Sequence, residues 1–248
     1  LFHFWLPVFV IVILILPSNL STAVLLFGNV LMLAFLASYP LKYLISIIIL
    51  GFISLLIFIS LARTFPEIFP NRIDTWINRI ENFKTGESAD GNYQLSRAKT
   101  AIVSGKFFGL GAGKSRMKNF LPQSSSDFIY AIIVEEFGLI GGVALILLYV
   151  LLLYRIVVIS YRTKSSFGKL TVIGLGVPVV TQAFANIGVA LQVIPVTGQN
   201  LPMISSGGTS AWVTCIAMGI ILSVSSKIES DNDLSKENNP LNILSEIH

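Results

Sequence analysis

The chain has 248 residues, a mean hydropathy of +0.78 and a net charge of +4, with charged residues at 12%, about half the share of an ordinary soluble domain. Stretches such as 24–37 and 143–154 cannot form a soluble surface, so the composition excludes a soluble all-α core and points to a polytopic membrane protein. Cys215 is the single cysteine, which excludes an internal disulfide and a cysteine-based metal site, and His3 and His248 stand at opposite ends, which argues against a Ser-His-Asp triad on Asp127 and the serines at 124–126.

Six membrane segments are predicted in chain order: 4–16, 20–38, 43–62, 128–159, 170–196 and 207–225. The first opens at Leu1 without a charged n-region or a small-residue cleavage site, so the chain reads as the later part of a longer membrane protein and not as one that starts with a signal peptide. The fourth segment exceeds a simple span, and a break or tilt is expected near Gly138, Gly141 and Gly142. Residues 1–226 form the membrane unit, and 227–248 form a polar cytoplasmic tail expected to lack fixed structure.

Lysine and arginine in the short loops set the orientation. Arg155, Arg162, Lys164 and Lys169 follow the fourth segment, Lys42 joins the second to the third, and Lys227 and Lys236 lie in the tail. All fall on one side if segments alternate, and that side is cytoplasmic. The uncharged 196–206 loop and the long 63–127 loop then face outward. The long loop carries ten Lys and Arg against six acids. Its positive charge has two readings, attraction to anionic headgroups or a site for an anionic substrate.

Within that loop, "NRIDTWINRIENF" puts Ile73, Trp76, Ile77 and Ile80 on one helical face, as in an amphipathic helix lying on the membrane. "YQLSRAKTAIVSG" predicts a second helix ending near Gly105. "GLGAGKS", 109–115, lacks the first glycine of a nucleotide-binding P-loop, since Phe108 stands there. Its glycines and the nearby Lys114, Arg116 and Lys118 suit either a pyrophosphate contact through free backbone N–H groups or a flexible turn.

Asn186, Gln182 and Gln192 in the fifth segment read either as interhelical hydrogen-bonding groups or as substrate contacts. Glu135 and Glu136 sit inside an apolar helix, where carboxylates pair with a base or line a cavity; a structural ion pair with a loop cation is the plainer alternative. Asp127 would lie about 12 Å and some 80° of helix rotation from Glu135. The three acids are therefore not expected to form one cluster.

"LPQSSSDFIYAIIVEEFGLIGG" (121–142) and "NIGVALQVIPVTGQNLPMISSGGTS" (186–210), with "LPSNLSTA" (16–23) upstream, resemble the SEDS family of polytopic cell-wall polymerases. Leu121, Pro122, Asp127, Phe128, Ile129, Ala131, Glu135, Glu136 and Gly138 match the first block in register; Asn186, Ile187, Gly188, Pro195, Gly198, Leu201, Pro202, Ser205, Gly207 and Gly208 match the second. Gln123 stands where the family often has Glu, Ser126 where it has Thr, and Ser206 replaces a common Tyr. "NYQLSRAKTAI" and "NLST" lean toward the division-type members rather than the elongation type.

The resemblance implies the last six helices of a roughly ten-helix bundle, in a bacterial plasma membrane and at the division septum. The implied activity is a peptidoglycan glycosyltransferase that polymerises lipid II at the outer face, with inversion, alongside a class B penicillin-binding transpeptidase and other division or elongation membrane proteins. No nucleic acid is expected. Asp127 takes the place of the family's proposed catalytic aspartate. Lys114, Arg116, Lys118, Arg97 and Lys99 are candidates for the pyrophosphate, and Glu135, Glu136, Asn186 and Ser205 complete the expected substrate-binding set. Positive charge at the pyrophosphate comes from these cations or from a divalent cation such as magnesium. A transporter of the lipid-linked precursor and a non-catalytic scaffold for the transpeptidase are the competing classes.

Overall fold

The computed structural model describes residues 2–64, 89–121 and 125–237. The described residues are helical, with no strand among them. In chain order the helices are α1 (Phe2–Ile15), α2 (Leu20–Leu36), α3 (Leu41–Thr64), α4 (Ala89–Gly105), α5 (Ile129–Arg162), α6 (Ser166–Ala190) and α7 (Gly208–Glu237), with a 3-10 turn at Met117–Asn119 between α4 and α5. The six apolar segments expected from hydropathy coincide with α1, α2, α3, α5, α6 and α7. Three helical stretches, Ile129–Arg162, Ser166–Ala190 and Gly208–Ile228, are long and apolar enough to cross a membrane; Phe4–Ile15, Leu20–Leu36 and Leu41–Ile57 are shorter apolar helices.

Local chemistry sets the boundaries. Asn19 caps α2, its side chain accepting from the Thr22 N–H at 3.2 Å. Ser165 caps α6 through the Gly168 N–H. The helix expected to run to 196 stops at Ala190, and Gln192 takes a positive φ of 59°. The stretch 192–207 that follows is irregular. At the other end of the chain the expectation of an unstructured tail is corrected, because α7 continues to Glu237. Lys227, Ile228, Glu229 and Leu234 are good or moderate helix formers and extend the turn already begun in the apolar part. Residues 238–248 lie outside the described set.

The six apolar helices alternate in direction. At one end, Thr22 at the start of α2 meets Gln199, Asn186 near the end of α6 meets Asp127, and Ser206 before α7 meets Ser125. At the opposite end Trp5, Ala34 and Leu44 form an apolar cluster with Tyr39 against it. Ile156, Val172, Val180 and Ile221 knit α5, α6 and α7 together, and Tyr130, Val134, Leu145, Tyr149, Ala183, Ile187, Ala190 and Leu201 form the core nearer the first end.

α5 is broken where expected. Its 34 residues would be about 51 Å long if straight, but Gly138 has φ 72° and ψ −172°. The 139–162 part is about 36 Å long by the same rise, so it alone exceeds a hydrocarbon core of about 30 Å. The first turns, which hold Glu135 and Glu136, need not lie in lipid.

The helix predicted for 93–105 is present as α4 and packs against the start of α5. Ala98 and Ala101 are completely buried and pack with Phe128, Ala131 and Ile132 of the α5 start. Farther on, Gly105 meets the main chain of Val134, so α4 runs alongside the first part of α5 in the same direction. Small residues permit this close approach, since a Cβ on Gly105 would fall 2.0 Å from the Val134 carbonyl oxygen. The amphipathic segment predicted at 71–83 lies outside the described residues.

Candidate functional site

Two loops meet the first part of α5, one at each end of it. Asp127 stands in the turn just before Ile129. Hydrogen bonds from Asn186, Ser205 and Ser206 tie this turn to α6 and to the irregular 192–207 stretch. The Asn186 side-chain amide donates to the Asp127 carbonyl oxygen at 2.8 Å, the Ser205 hydroxyl to the Ser126 carbonyl at 2.6 Å, and the Ser206 N–H to the Ser125 carbonyl at 2.9 Å. The Asp127 carboxylate itself is partly exposed and faces Gly198, whose missing Cβ would sit 3.8 Å from Oδ2.

The supporting stretch is itself braced. Asn186 also donates to the Gln199 carbonyl at 2.6 Å, Gln182 to the Asn200 carbonyl at 3.1 Å, and Gln199 to the Thr22 hydroxyl at 2.7 Å. Tyr149 donates to the Pro202 carbonyl, and Ser205 accepts from the Leu201 N–H. Buried carbonyls of an irregular chain need such partners. Asn186 is only 1% exposed and Ser205 is partly buried. Of the residues expected to contact substrate, Asn186 donates its amide N–H groups to the Asp127 and Gln199 carbonyls while its Oδ1 is buried without a partner among the described residues, and Ser205 donates to the Ser126 carbonyl. Gln182 likewise bonds the Asn200 carbonyl of the irregular stretch, and Gln192, just past the end of α6, bonds the Leu95 carbonyl of α4.

At the other end of the same short helix stands Glu135. It is 0% exposed. Its carboxylate accepts from the Ser115 hydroxyl, from the Arg116 N–H at 3.1 Å, and from the Met117 N–H at 3.3 Å, with the Ser104 hydroxyl 3.4 Å away. Among the described residues neutral donors, and no lysine or arginine side chain, hold this carboxylate, and its full burial departs from both the substrate-contact expectation and the ion-pair alternative for Glu135. Glu136 is half-buried; the described bonds involve its main chain.

The 105–111 segment is laid against the break in α5. Leu110 and Gly111 donate their N–H groups to the Glu135 and Glu136 carbonyls, both at 2.9 Å, and Leu139 and Ile140 donate to the Lys106 and Phe107 carbonyls at 2.8 and 3.4 Å. The groups that the break frees are therefore paired with this loop. Gly109 donates to the Gly105 carbonyl and Lys114 to that of Gly111. The N–H groups of Gly109, Leu110, Gly111 and Lys114 are thus used inside the protein and are not available to a pyrophosphate. Gly109 and Gly138 are required here. Both have positive φ, and a Cβ on either would fall 2.1–2.3 Å from a carbonyl oxygen of the other segment.

The cations of this loop project outward. Lys114, Arg116 and Lys118 are exposed, on the chain that returns from the α5 break toward Leu121. Arg97 of α4 stacks over Tyr93 and Phe120 at 4.9 and 5.9 Å, while Lys99 is exposed. Between α1, α2 and α3 an apolar groove of about 240 Å³ is lined by residues including Phe9, Ile13, Leu20, Phe27, Ile48 and Phe52. No group of three His, Cys, Asp or Glu side chains among the described residues has the geometry to hold a metal ion.

The serines at 104 and 115 that complete the Glu135 site were not singled out from sequence. The signal that could have found them is the buried acid itself, which needs donors from a glycine-rich neighbour able to approach closely.

Comparison with known proteins gives a consistent picture. The family described as "Cell cycle protein", FtsW/RodA/SpoVE, matches residues 2–230. A probable peptidoglycan glycosyltransferase FtsW from Nitrosococcus halophilus is 34% identical over 216 residues, covering 86% of this chain and 54% of the relative. The stage V sporulation protein E of Bacillus subtilis is 33% identical over 214 residues, covering 86% and 56%. The chain thus spans about half the length of the curated relatives it matches. In fold it is similar to a chain of a peptidoglycan synthase complex that coordinates polymerization and crosslinking, with a TM-score of 0.69 at 23% identity, covering 92% of this chain and 63% of that one.

Proposed function

Because the chain belongs to the FtsW/RodA/SpoVE family of cell cycle proteins, we propose that the complete protein is a peptidoglycan glycosyltransferase that polymerises lipid II at the outer face of the bacterial plasma membrane. The observation that carries this reading is the partly exposed carboxylate of Asp127 on a turn whose three preceding or own carbonyls are pinned by Asn186, Ser205 and Ser206. A group that must take a proton in a transition state benefits from a fixed main chain beneath it.

The chemistry follows from the groups present. The 4-hydroxyl of the acceptor sugar attacks the anomeric carbon of the donor. The new C–O bond forms as the bond to the lipid pyrophosphate breaks, and the hydroxyl proton passes to Asp127. Direct displacement inverts the anomeric centre. The departing pyrophosphate gains negative charge, which the exposed side chains of Lys114, Arg116 and Lys118 stabilise. The apolar groove between α1, α2 and α3 suits a lipid tail, and its upper residues Leu20 and Ala23 flank Thr22, which bonds the brace under Asp127.

The protein is an integral membrane protein by its apolar helices and its family. Relatives named FtsW, together with the look of the 92–102 stretch, favour a role at the division septum. A single-pass class B penicillin-binding transpeptidase is the partner proposed, supported by a fold neighbour that belongs to a complex joining polymerization to crosslinking. The test is the purified complete protein with that transpeptidase and labelled lipid II in detergent. Glycan polymer on a gel supports the enzyme. Absence of polymer from folded complex would turn the reading to the transporter or scaffold, neither of which makes polymer in detergent.

A further inference from the structure

We propose that Glu135 is a positioning residue that locks the Lys114–Lys118 loop onto the short helix carrying Asp127, an inference that rests on the glycosyltransferase reading. The carboxylate is completely buried, yet its hydrogen-bond partners among the described residues are neutral: the hydroxyls of Ser104 and Ser115 and the N–H groups of Arg116 and Met117. Ser115 and Met117 alternate with the three cations, and Arg116 is itself one of them. The two N–H bonds therefore fix the main chain at Arg116 and directly before Lys118, whose side chains are exposed.

A buried carboxylate is a poor choice for a merely structural contact. Its desolvation is offset only by charge-assisted hydrogen bonds of good geometry, and a carboxylate is acceptor-only, able to receive on both oxygens. The Glu135 cage uses this property: Oε1 receives from Arg116 and Oε2 from Ser115 and Met117. The same helix segment offers two further anchors, the carbonyls of Glu135 and Glu136, which receive from Leu110 and Gly111. The loop is thus held at both of its ends to one rigid element. That element begins at the Asp127 turn, eight residues before Glu135. Base and cations then keep one register even though neither touches the other.

A glutamine at this position has one acceptor oxygen and presents an NH2 group to N–H donors. It should free the loop without removing a cation. The experiment uses the complete protein in detergent or nanodiscs with its transpeptidase. It compares Glu135→Gln, Glu135→Asp and Ser115→Ala by hydrogen exchange at the Arg116 and Met117 amides, by equilibrium binding of labelled lipid II, and by polymerisation kcat. Glu135→Gln is expected to speed exchange at those two amides and to weaken lipid II binding by about tenfold, the scale of losing one hydrogen bond to a charged group, with kcat changed by less than about threefold. Glu135→Asp keeps the charge and should recover part of both. Ser115→Ala should weaken binding less, and should add little to Glu135→Gln in the double variant, because the two residues share one interaction.

Unchanged exchange at Arg116 and Met117 in folded Glu135→Gln overturns the lock. Faster exchange with unchanged lipid II affinity overturns the positioning role. Should Glu135→Gln not fold, Ser115→Ala and Glu135→Asp carry the same readouts, and unaltered exchange and affinity in both overturn the proposal. Failure of the wild-type protein to polymerise lipid II sinks the glycosyltransferase reading instead, while the exchange measurement still reports on the lock.

Discussion

Asn186 of α6 donates to the carbonyl oxygen of Asp127, 59 residues earlier in the chain, at 2.8 Å, and with the same amide to Gln199 at 2.6 Å. One buried side chain thereby joins the turn that carries the candidate base to the irregular stretch before α7. Asn186→Ala would leave two carbonyls without this donor. Each such loss costs about 1–3 kcal/mol, so the variant should show a lower detergent Tm together with a loss of polymerisation. Asn186→Asp, which sets a carboxylate against two carbonyl oxygens, should be worse than alanine. An unchanged Tm in both variants would contradict the brace.

Gly138→Ala should destabilise the protein by about 2–4 kcal/mol or block its folding. The added Cβ meets the Phe107 carbonyl oxygen at 2.3 Å, and the φ of 72° is itself unfavourable for alanine. Gly28→Ala in α2 is the matched control, because nothing lies within 4 Å of its Cβ position. It should be neutral or slightly stabilising. Thermal unfolding of the two variants side by side checks the contrast, and equal Tm values would rule out the docked loop.

Much of this architecture was legible in the sequence. The six apolar helices follow from hydropathy, and Gly138 announced the break because a glycine inside a long apolar helix is a poor helix former. What was not legible depends on contacts between distant segments. Glu135 sits beside loop residues 18–20 positions away, and no local periodicity records which donors a buried acid will find. For the same reason the glycines of 109–113 looked free for a ligand, whereas the main-chain groups released by the broken helix take up their neighbours. The helical extension to Glu237 was masked by its polarity, which lowers hydropathy but not helix propensity.

The alternating directions of the helices, with the lysine and arginine distribution, predict opposite sides for two exposed positions. In a Cys215→Ser background, Ala112→Cys in the glycine-rich loop should react with a membrane-impermeant thiol reagent in intact cells, given access through the outer envelope. Ser166→Cys at the start of α6 should react only after lysis. Labelling of Ser166→Cys in intact cells would invert the topology.

Neutralising Lys114, Arg116 and Lys118 together, each to glutamine, should weaken lipid II binding with little effect on Tm, since all three side chains are exposed. The effect should shrink as salt rises. Equal affinity of the triple variant and wild type at low salt would assign the positive loop to headgroup attraction.

The most direct measurement concerns Asp127. Asp127→Asn preserves size and leaves the main-chain carbonyl that Asn186 holds, but the amide cannot accept the hydroxyl proton. Polymerisation of labelled lipid II by the purified variant with its transpeptidase should fall by about 10²–10⁴-fold, the usual loss on removing a general base. Tm, transpeptidase pull-down and lipid II binding should stay near wild type. Near-normal polymer from a folded, partner-bound Asp127→Asn protein would contradict the account and remove Asp127 as the base.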